Sequence, residues 1–144
     1  RLTMEIIKKI KELSECAYDY DILYKEYQVC DLLETADDKE KYIPYILEIM
    51  ENNPLADWGC PGPLVRFMES CDIDIHEKFL KESIKKCPTI HTLIMLNRLC
   101  NVKTTEEIQE YIDILDSIYK NTFIDEDIRN TAEDFLEYQL EKLM

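Results

Sequence analysis

Helical segments in this chain break every 34 residues, at Asn53, Cys87 and Asn121. Each break ends a stretch whose apolar residues recur at helical spacing, and the same interval counted backwards reaches Asp19. A period of this length is typical of helical hairpins that stack side by side, because one hairpin alone cannot bury its apolar face. The sequence therefore predicts four helix pairs in a row.

Composition supports an all-α fold built as one unit. The chain has 144 residues, of which 46% are apolar and 33% charged, so we expect a single all-helical domain over residues 1–144. It has only two glycines and little apolar alternation, which argues against strands. We expect about eight helices in stacked antiparallel pairs, forming a HEAT-like solenoid or an irregular helical bundle.

Signals for helix starts recur along the chain. Asp37, Asp74 and Thr104 each stand three residues before a glutamate, which is the capping-box spacing. Thr89 and Asp125 are further N-cap candidates, because their side-chain oxygens can accept a hydrogen bond from the first turn. The second helix of each pair is expected at about 20–34, 63–71, 89–100 and 126–143, and second helices often line the binding surface of such a stack.

Residues 54–63, here called the Pro-Gly segment, form the most conspicuous loop. They contain both glycines, the only tryptophan and three of the five prolines. Proline fixes φ and glycine reaches backbone angles closed to other residues, so we expect a stiff loop. Two interpretations of Trp58 stay open: the ring is held out for a partner, or it plugs the core between two helices.

The charge balance limits the class of partner. Against 17 Lys and Arg stand 31 Asp and Glu, which gives a formal net charge of −14. A phosphate backbone or an anionic membrane would be repelled, so we expect neither as a direct partner. A basic protein would be attracted and steered into contact.

Residues that would support catalysis are scarce. His76 and His91 are the only two histidines, and both are expected at the surface. The six cysteines have no Cys-x-x-Cys spacing, and the chain lacks a phosphate-binding glycine loop, a zinc-protease motif and a nucleophile elbow. We therefore expect no enzyme activity, cofactor or metal, and reduced thiols in a cytoplasm.

Three segments in the middle third carry a family resemblance. They are residues 57–69 (DWGCPGPLVRFME), 82–89 (ESIKKCPT) and 95–101 (MLNRLCN). Together they resemble small acidic immunity proteins of bacterial polymorphic toxin and contact-dependent growth inhibition systems, although Arg66 stands where that pattern has a histidine. The resemblance implies a protein that binds and neutralises one cognate toxin domain, often a basic nuclease, inside the producing cell.

Candidate partner-binding residues combine carboxylates with aromatic anchors near the Pro-Gly segment and on the second helices. They are Tyr20, Asp21, Asp57, Trp58, Glu69, Asp72, Glu133 and Glu137. Asp57, Glu69, Asp72 and Asp74 are expected to form one acidic patch.

Tyr20, Tyr24 and Tyr27 share a helical face, which we expect to pack on the first helix, with a recognition surface as the alternative. The alternative function for the whole chain is a helical-repeat adaptor that binds a peptide or a protein subunit. A carboxylate-based metal hydrolase is a third class.

Overall fold

The computed structural model describes all 144 residues as eight α-helices and two short 3-10 turns, with no strand. The helices are α1 (Leu2–Glu15), α2 (Ile22–Glu34), α3 (Ile43–Asn52), α4 (Pro63–Glu69), α5 (Ile73–Lys86), α6 (Ile90–Leu99), α7 (Thr105–Lys120) and α8 (Glu126–Lys142). One 3-10 turn, Lys39–Tyr42, leads into α3, and the other, Cys100–Val102, follows α6. The predicted all-α class and the number of helices are confirmed.

The 34-residue register matches the ends of three helices. α3, α5 and α7 end in C-caps at Asn53, Cys87 and Asn121. α1 ends earlier than the register predicts, at a C-cap on Cys16, because residues 16–21 form a separate hydrogen-bonded turn. The 34-residue interval therefore predicts where the first helix ends in three of the four expected pairs.

Three of the four predicted helix pairs pack closely, whereas α3 and α4, the predicted second pair, do not. α1 packs on α2, α5 on α6 and α7 on α8, while α3 lies between α1 and α5. On the other side of the stack α2 packs on α4, and α6 packs on α8. The first and last pairs therefore lie at opposite ends of the stack.

No helix combines the length and the hydrophobicity that a membrane-spanning segment requires.

Three predicted helix starts are confirmed. Thr89 and Thr104 each form a capping box. The threonine side chain accepts a hydrogen bond from the backbone N–H three residues later, and the side chain of that later residue accepts one from the threonine N–H. For Thr104 these distances are 3.2 Å from the Glu107 N–H to Oγ1 and 3.0 Å from the Thr104 N–H to the Glu107 carboxylate. Asp125 caps α8 by accepting from the Asp127 N–H at 2.8 Å.

Two predicted helix starts are wrong. No side chain caps the 3-10 turn after Asp37, so that motif has no structural role there. α5 begins before Asp74, because Asp72 is its N-cap and accepts from the Asp74 N–H at 2.9 Å and the Ile75 N–H at 3.1 Å. Asp74 has the capping-box glutamate, but Asp72, which has none, is the residue that caps the helix.

One continuous core of 35 buried apolar residues runs through the stack. Its largest fully buried side chains are Trp58, Tyr42 and Tyr111. Both histidines are buried as well, which corrects their predicted surface placement. Burial lowers the pKa of His76, so its imidazole is neutral inside α5.

Candidate protein-binding surface

The Pro-Gly segment connects α3 to α4 and has a fixed backbone. Gly59 and Gly62 have φ values of +121° and +94°, a region that other residues rarely adopt. A Cβ atom on Gly62 would collide with the Trp58 carbonyl oxygen, and one on Gly59 would collide with the Gly62 backbone. The segment therefore folds tightly on itself, and only glycine fits at these two positions.

His91, in the first turn of α6, contacts the backbone of this segment at two points. Its Nε2 lies 2.7 Å from the Pro61 carbonyl oxygen, and its Nδ1 lies 3.5 Å from the Trp58 backbone nitrogen. Because a carbonyl only accepts and an amide only donates, both contacts require a neutral ring protonated at Nε2. Burial lowers the pKa of His91, which favours that neutral form. The Ile90 N–H adds a third tie, to the Pro54 carbonyl at 3.0 Å.

The Trp58 side chain points into the core. Its exposed fraction is 0%, so it is removed from the predicted set of surface anchors. The plug interpretation is the correct one, because the Pro-Gly segment turns the indole inward while Leu55, Asp57 and Cys60 stay exposed. Trp58 thus fixes the shape of the surface without forming part of it.

Outward-facing residues of the segment form one wall of a groove of about 360 Å³. We call it the aromatic groove, and its lining consists of residues 17–20, Ile22, Leu23, Leu55, Asp57 and Gly59. The opposite wall is the turn between α1 and α2, together with the start of α2. Leu23 and Leu55 are both exposed here, although no spacing pattern in the sequence groups them.

Four exposed tyrosines lie in the turn before α2 and on α2 itself, and Tyr18 and Tyr20 line the groove. Tyr18, Tyr20, Tyr24 and Tyr27 have exposed fractions of 67%, 102%, 67% and 58%. The expectation that Tyr20, Tyr24 and Tyr27 pack on the first helix is therefore wrong. Singly exposed apolar groups are common, but a contiguous exposed aromatic surface is typical of an interaction site.

The reason for the wrong expectation lies on the opposite face of α2. That face buries Ile22, Glu26, Val29 and Leu33, at helical spacing. Because a glutamate stands at the centre of the buried stripe, the apolar pattern of the sequence is shifted toward the tyrosines. The charged residue conceals which side of the helix is buried.

Glu26 is fully buried, and neither carboxyl oxygen has a hydrogen-bond partner. Burial is the main cause that raises its pKa to about 8; the charge of Asp57 contributes to the rise, and the nearby Leu64 backbone N–H opposes it without reaching hydrogen-bond geometry. Near neutral pH the side chain is therefore mostly protonated. A neutral Glu26 adds no negative charge beneath the aromatic groove.

Charge on this surface is almost entirely negative. Asp19, Asp21 and Asp57 lie on or beside the groove, and neither residues 16–24 nor the Pro-Gly segment contain a lysine or arginine. Lys25 is the adjacent base, with its Nζ 3.6 Å from an Asp19 oxygen and 3.5 Å from an Asp21 oxygen. The surface thus combines exposed aromatic rings with carboxylates that exceed the local cations.

The other predicted site residues lie apart from this surface. Glu69 makes a bidentate pair with Arg98, at 2.7 and 2.9 Å, and Asp72 caps α5. Both carboxylates thus make structural contacts, and neither lines the aromatic groove. Of the predicted site residues, Tyr20 and Asp57 line the aromatic groove, and Asp21 lies beside it, where it contacts Lys25.

Glu133 and Glu137 lie on α8, in the last pair of the stack. The Glu133 carboxylate raises the pKa of the Tyr119 hydroxyl on the neighbouring helix α7. α8 packs on α6 and α7, whereas Tyr20 and Asp21 belong to the first pair. Glu133 and Glu137 therefore lie at the opposite end of the stack from Tyr20 and Asp21.

A larger hollow, of about 930 Å³, lies between α1 and α2. Lysines and acids alternate along it, and two of them, Lys9 and Glu12, pair at 3.7 Å. Because its charges compensate one another, it offers less selective attraction than the aromatic groove.

All six cysteines are unpaired, and Cys60 in the Pro-Gly segment is the exposed one. No group of three or more His, Cys, Asp or Glu side chains is arranged to hold a metal ion.

Comparisons of the chain with known protein families, with curated proteins and with solved structures find no match.

Proposed function

We propose that the protein inhibits a basic toxin domain by binding it through the aromatic groove and the tyrosines of α2. The observation that supports this most directly is the set of exposed tyrosines beside Asp19, Asp21 and Asp57, with no lysine or arginine in the adjoining turn or Pro-Gly segment. Tyrosine side chains are frequent anchors in protein interfaces, and surrounding carboxylates would select a cationic partner.

The rigidity of the surface favours tight binding. Two glycines at positive φ, the buried Trp58 and the His91 contacts fix the Pro-Gly segment before a partner arrives. A pre-ordered surface loses less conformational entropy on association than a flexible one. An inhibitor that must capture a toxin quickly also gains from a net charge of −14, which accelerates encounter with a basic protein.

The resemblance to immunity proteins adds the biological setting. In that setting the protein acts in the cytoplasm of a toxin-producing bacterium, and the toxin is a nuclease domain whose active-site cleft binds phosphates. Carboxylates at the groove would occupy part of the same positive surface that attracts nucleic acid. Inhibition would follow from blocking that cleft or its approach.

The test is co-expression with the product of the neighbouring gene, followed by co-purification and a growth assay. We expect a one-to-one complex and protection of the cell. The association rate should fall as salt rises from 50 to 500 mM, on the order of tenfold, because screening weakens charge steering. A complex whose association rate is unaffected by salt would contradict the electrostatic argument.

A matched pair of variants locates the interface. Tyr20→Ala with Tyr24→Ala removes two exposed rings of the proposed surface, while Tyr138→Ala removes an exposed ring on α8 at the other end of the stack. We expect the double variant to weaken binding by at least about tenfold, because each anchor contributes at least about 1 kcal/mol. The α8 variant should leave affinity unchanged, and the reverse result would place the interface elsewhere.

The adaptor alternative differs in its consequence for the cell. An adaptor would bind its partner without protecting against it, so deletion of the gene would leave cells resistant to toxin from neighbouring cells. The inhibitor function predicts that deletion makes cells sensitive and that the wild-type gene restores growth.

A further inference from the structure

We propose that the aromatic groove is a receptor for a single arginine side chain of the partner. The inference rests on the proposed function for the identity of that partner. The binding of a guanidinium group is a property of the groove itself and can be measured without any toxin.

The walls of the groove suit the body of an arginine. Tyr18, Tyr20, Leu23 and Leu55 are exposed along it, and its volume of about 360 Å³ is near the lower limit of ligand sites, enough for one long side chain. Arginine carries three methylenes that prefer apolar contact, and its planar head stacks on aromatic rings. The tyrosines and leucines provide both kinds of surface.

The rim of the groove suits the charged head. Asp19 approaches from the turn before α2, and Asp57 approaches from the Pro-Gly segment. One oxygen of Asp57 accepts the Gly59 N–H at 2.9 Å, and the other makes no hydrogen bond or ion pair within the protein. A guanidinium group placed between the two acids would satisfy that oxygen while its remaining donors reach Asp19.

The protein itself places a cation beside this rim. The Lys25 ammonium lies within 3.6 Å of Asp19 and within 3.5 Å of Asp21, while Asp57 has no such partner. A second positive group would pair with Asp57 and reduce the excess negative charge of the three acids. A neutral apolar group would instead cover Asp57 and leave its carboxylate without water, which is unfavourable.

Arginine fits this site better than lysine does. Its head is planar, more weakly hydrated than an ammonium, and able to donate to two carboxylates at once. Lysine would gain the charge interaction but would lose the stacking contact. The groove should therefore discriminate between two side chains of equal charge.

The experiment compares an acetylated tetra-arginine peptide with a tetra-lysine peptide in backbone amide NMR titrations of the full chain. We expect shifts concentrated in residues 17–23 and 55–59, with the arginine peptide binding at least about threefold more tightly. Equal affinities for the two peptides, or shifts spread over other acidic surfaces, would overturn the inference.

Variants separate the parts of the site. Asp57→Asn removes the charge but keeps an oxygen for the Gly59 N–H, and Leu55→Ser removes apolar wall at an exposed position. Each should weaken the arginine peptide by at least about threefold while the amide spectrum stays folded. Glu137→Gln, an equal charge change on α8, is the control and should have no effect. Unchanged affinity in Asp57→Asn would overturn the role of that carboxylate.

The two proposals fail in distinguishable ways. Selective arginine binding without a toxin partner would retain the groove and reject the inhibitor function. A toxin complex that is insensitive to Asp57→Asn and Leu55→Ser, in a protein without arginine selectivity, would retain the inhibitor function and reject the arginine receptor.

Discussion

The buried Glu26 should make the free energy of unfolding depend on pH. In the native state its pKa is raised to about 8 from about 4.5, because burial disfavours the charged carboxylate. In the unfolded chain the same group ionises near its ordinary value. Folding therefore requires uptake of a proton at any pH between these two values.

The sign and size of the effect follow from that difference. The contribution of Glu26 to stability is fully present below about pH 4.5 and is lost progressively as pH rises through about 8. Each pH unit in this interval costs about 1.4 kcal/mol, which amounts to roughly 5 kcal/mol over the whole shift. This is a large fraction of the stability of a typical domain.

Glu26→Gln isolates the effect, because glutamine keeps the shape of the protonated side chain and does not titrate. Urea unfolding followed by Trp58 fluorescence at pH 5, 6, 7 and 8 gives the difference between wild type and variant. Between pH 5 and 8 we expect wild type to lose about 4 kcal/mol relative to the variant. The change of this stability difference with pH is the test, because a glutamine amide without a hydrogen-bond partner would shift the difference by the same amount at every pH.

Glu48→Gln is the matched control, because Glu48 is an exposed carboxylate on α3. Its stability difference from wild type should vary little with pH. A pH-independent difference for Glu26→Gln as well would refute the reasoning, because it would mean that the native carboxylate is ionised or reached by water.

Two further predictions concern the Pro-Gly segment. Trp58→Ala should reduce the free energy of unfolding by about 3–5 kcal/mol, because removal of a fully buried ring leaves a cavity. Unfolding followed by circular dichroism measures the loss, and a value below about 1 kcal/mol would show that the segment does not depend on this ring. Gly62→Ala should lower the free energy of unfolding in urea by at least about 2 kcal/mol, because the φ of +94° and the collision with the Trp58 carbonyl both oppose a side chain. The control is Ser117→Ala at an exposed position on α7, which should change the free energy of unfolding by less than about 0.5 kcal/mol.

Much of the architecture could be predicted from the sequence because helix ends leave local signals. The breaks at Asn53, Cys87 and Asn121 set the register, and Thr104 with its glutamate defined a helix start. The prediction of Asp74 as a cap was wrong because Asp72, two residues earlier, caps the helix with its own side chain and without a capping-box glutamate. Local patterns identify a helix end well but do not choose between neighbouring candidates.

The candidate surface was harder to predict, because it depends on which face of α2 is buried. Glu26 has the sequence signature of a solvent-exposed residue and is fully buried. The tyrosines have the signature of a packed face and are exposed. Leu55 and Leu23 meet only through the fold of the Pro-Gly segment, which no spacing rule describes. Tertiary packing therefore decided what the local pattern left ambiguous.

The single exposed cysteine offers a chemical handle at the site. Burial raises the pKa of Cys30 to about 12 and that of Cys71 to about 11, which suppresses their reactive thiolate forms. A maleimide dye should therefore attach preferentially at Cys60, in the segment that forms one wall of the aromatic groove. Native protein labelled in this way would report the arrival of a ligand as a change in emission, with no engineered residue.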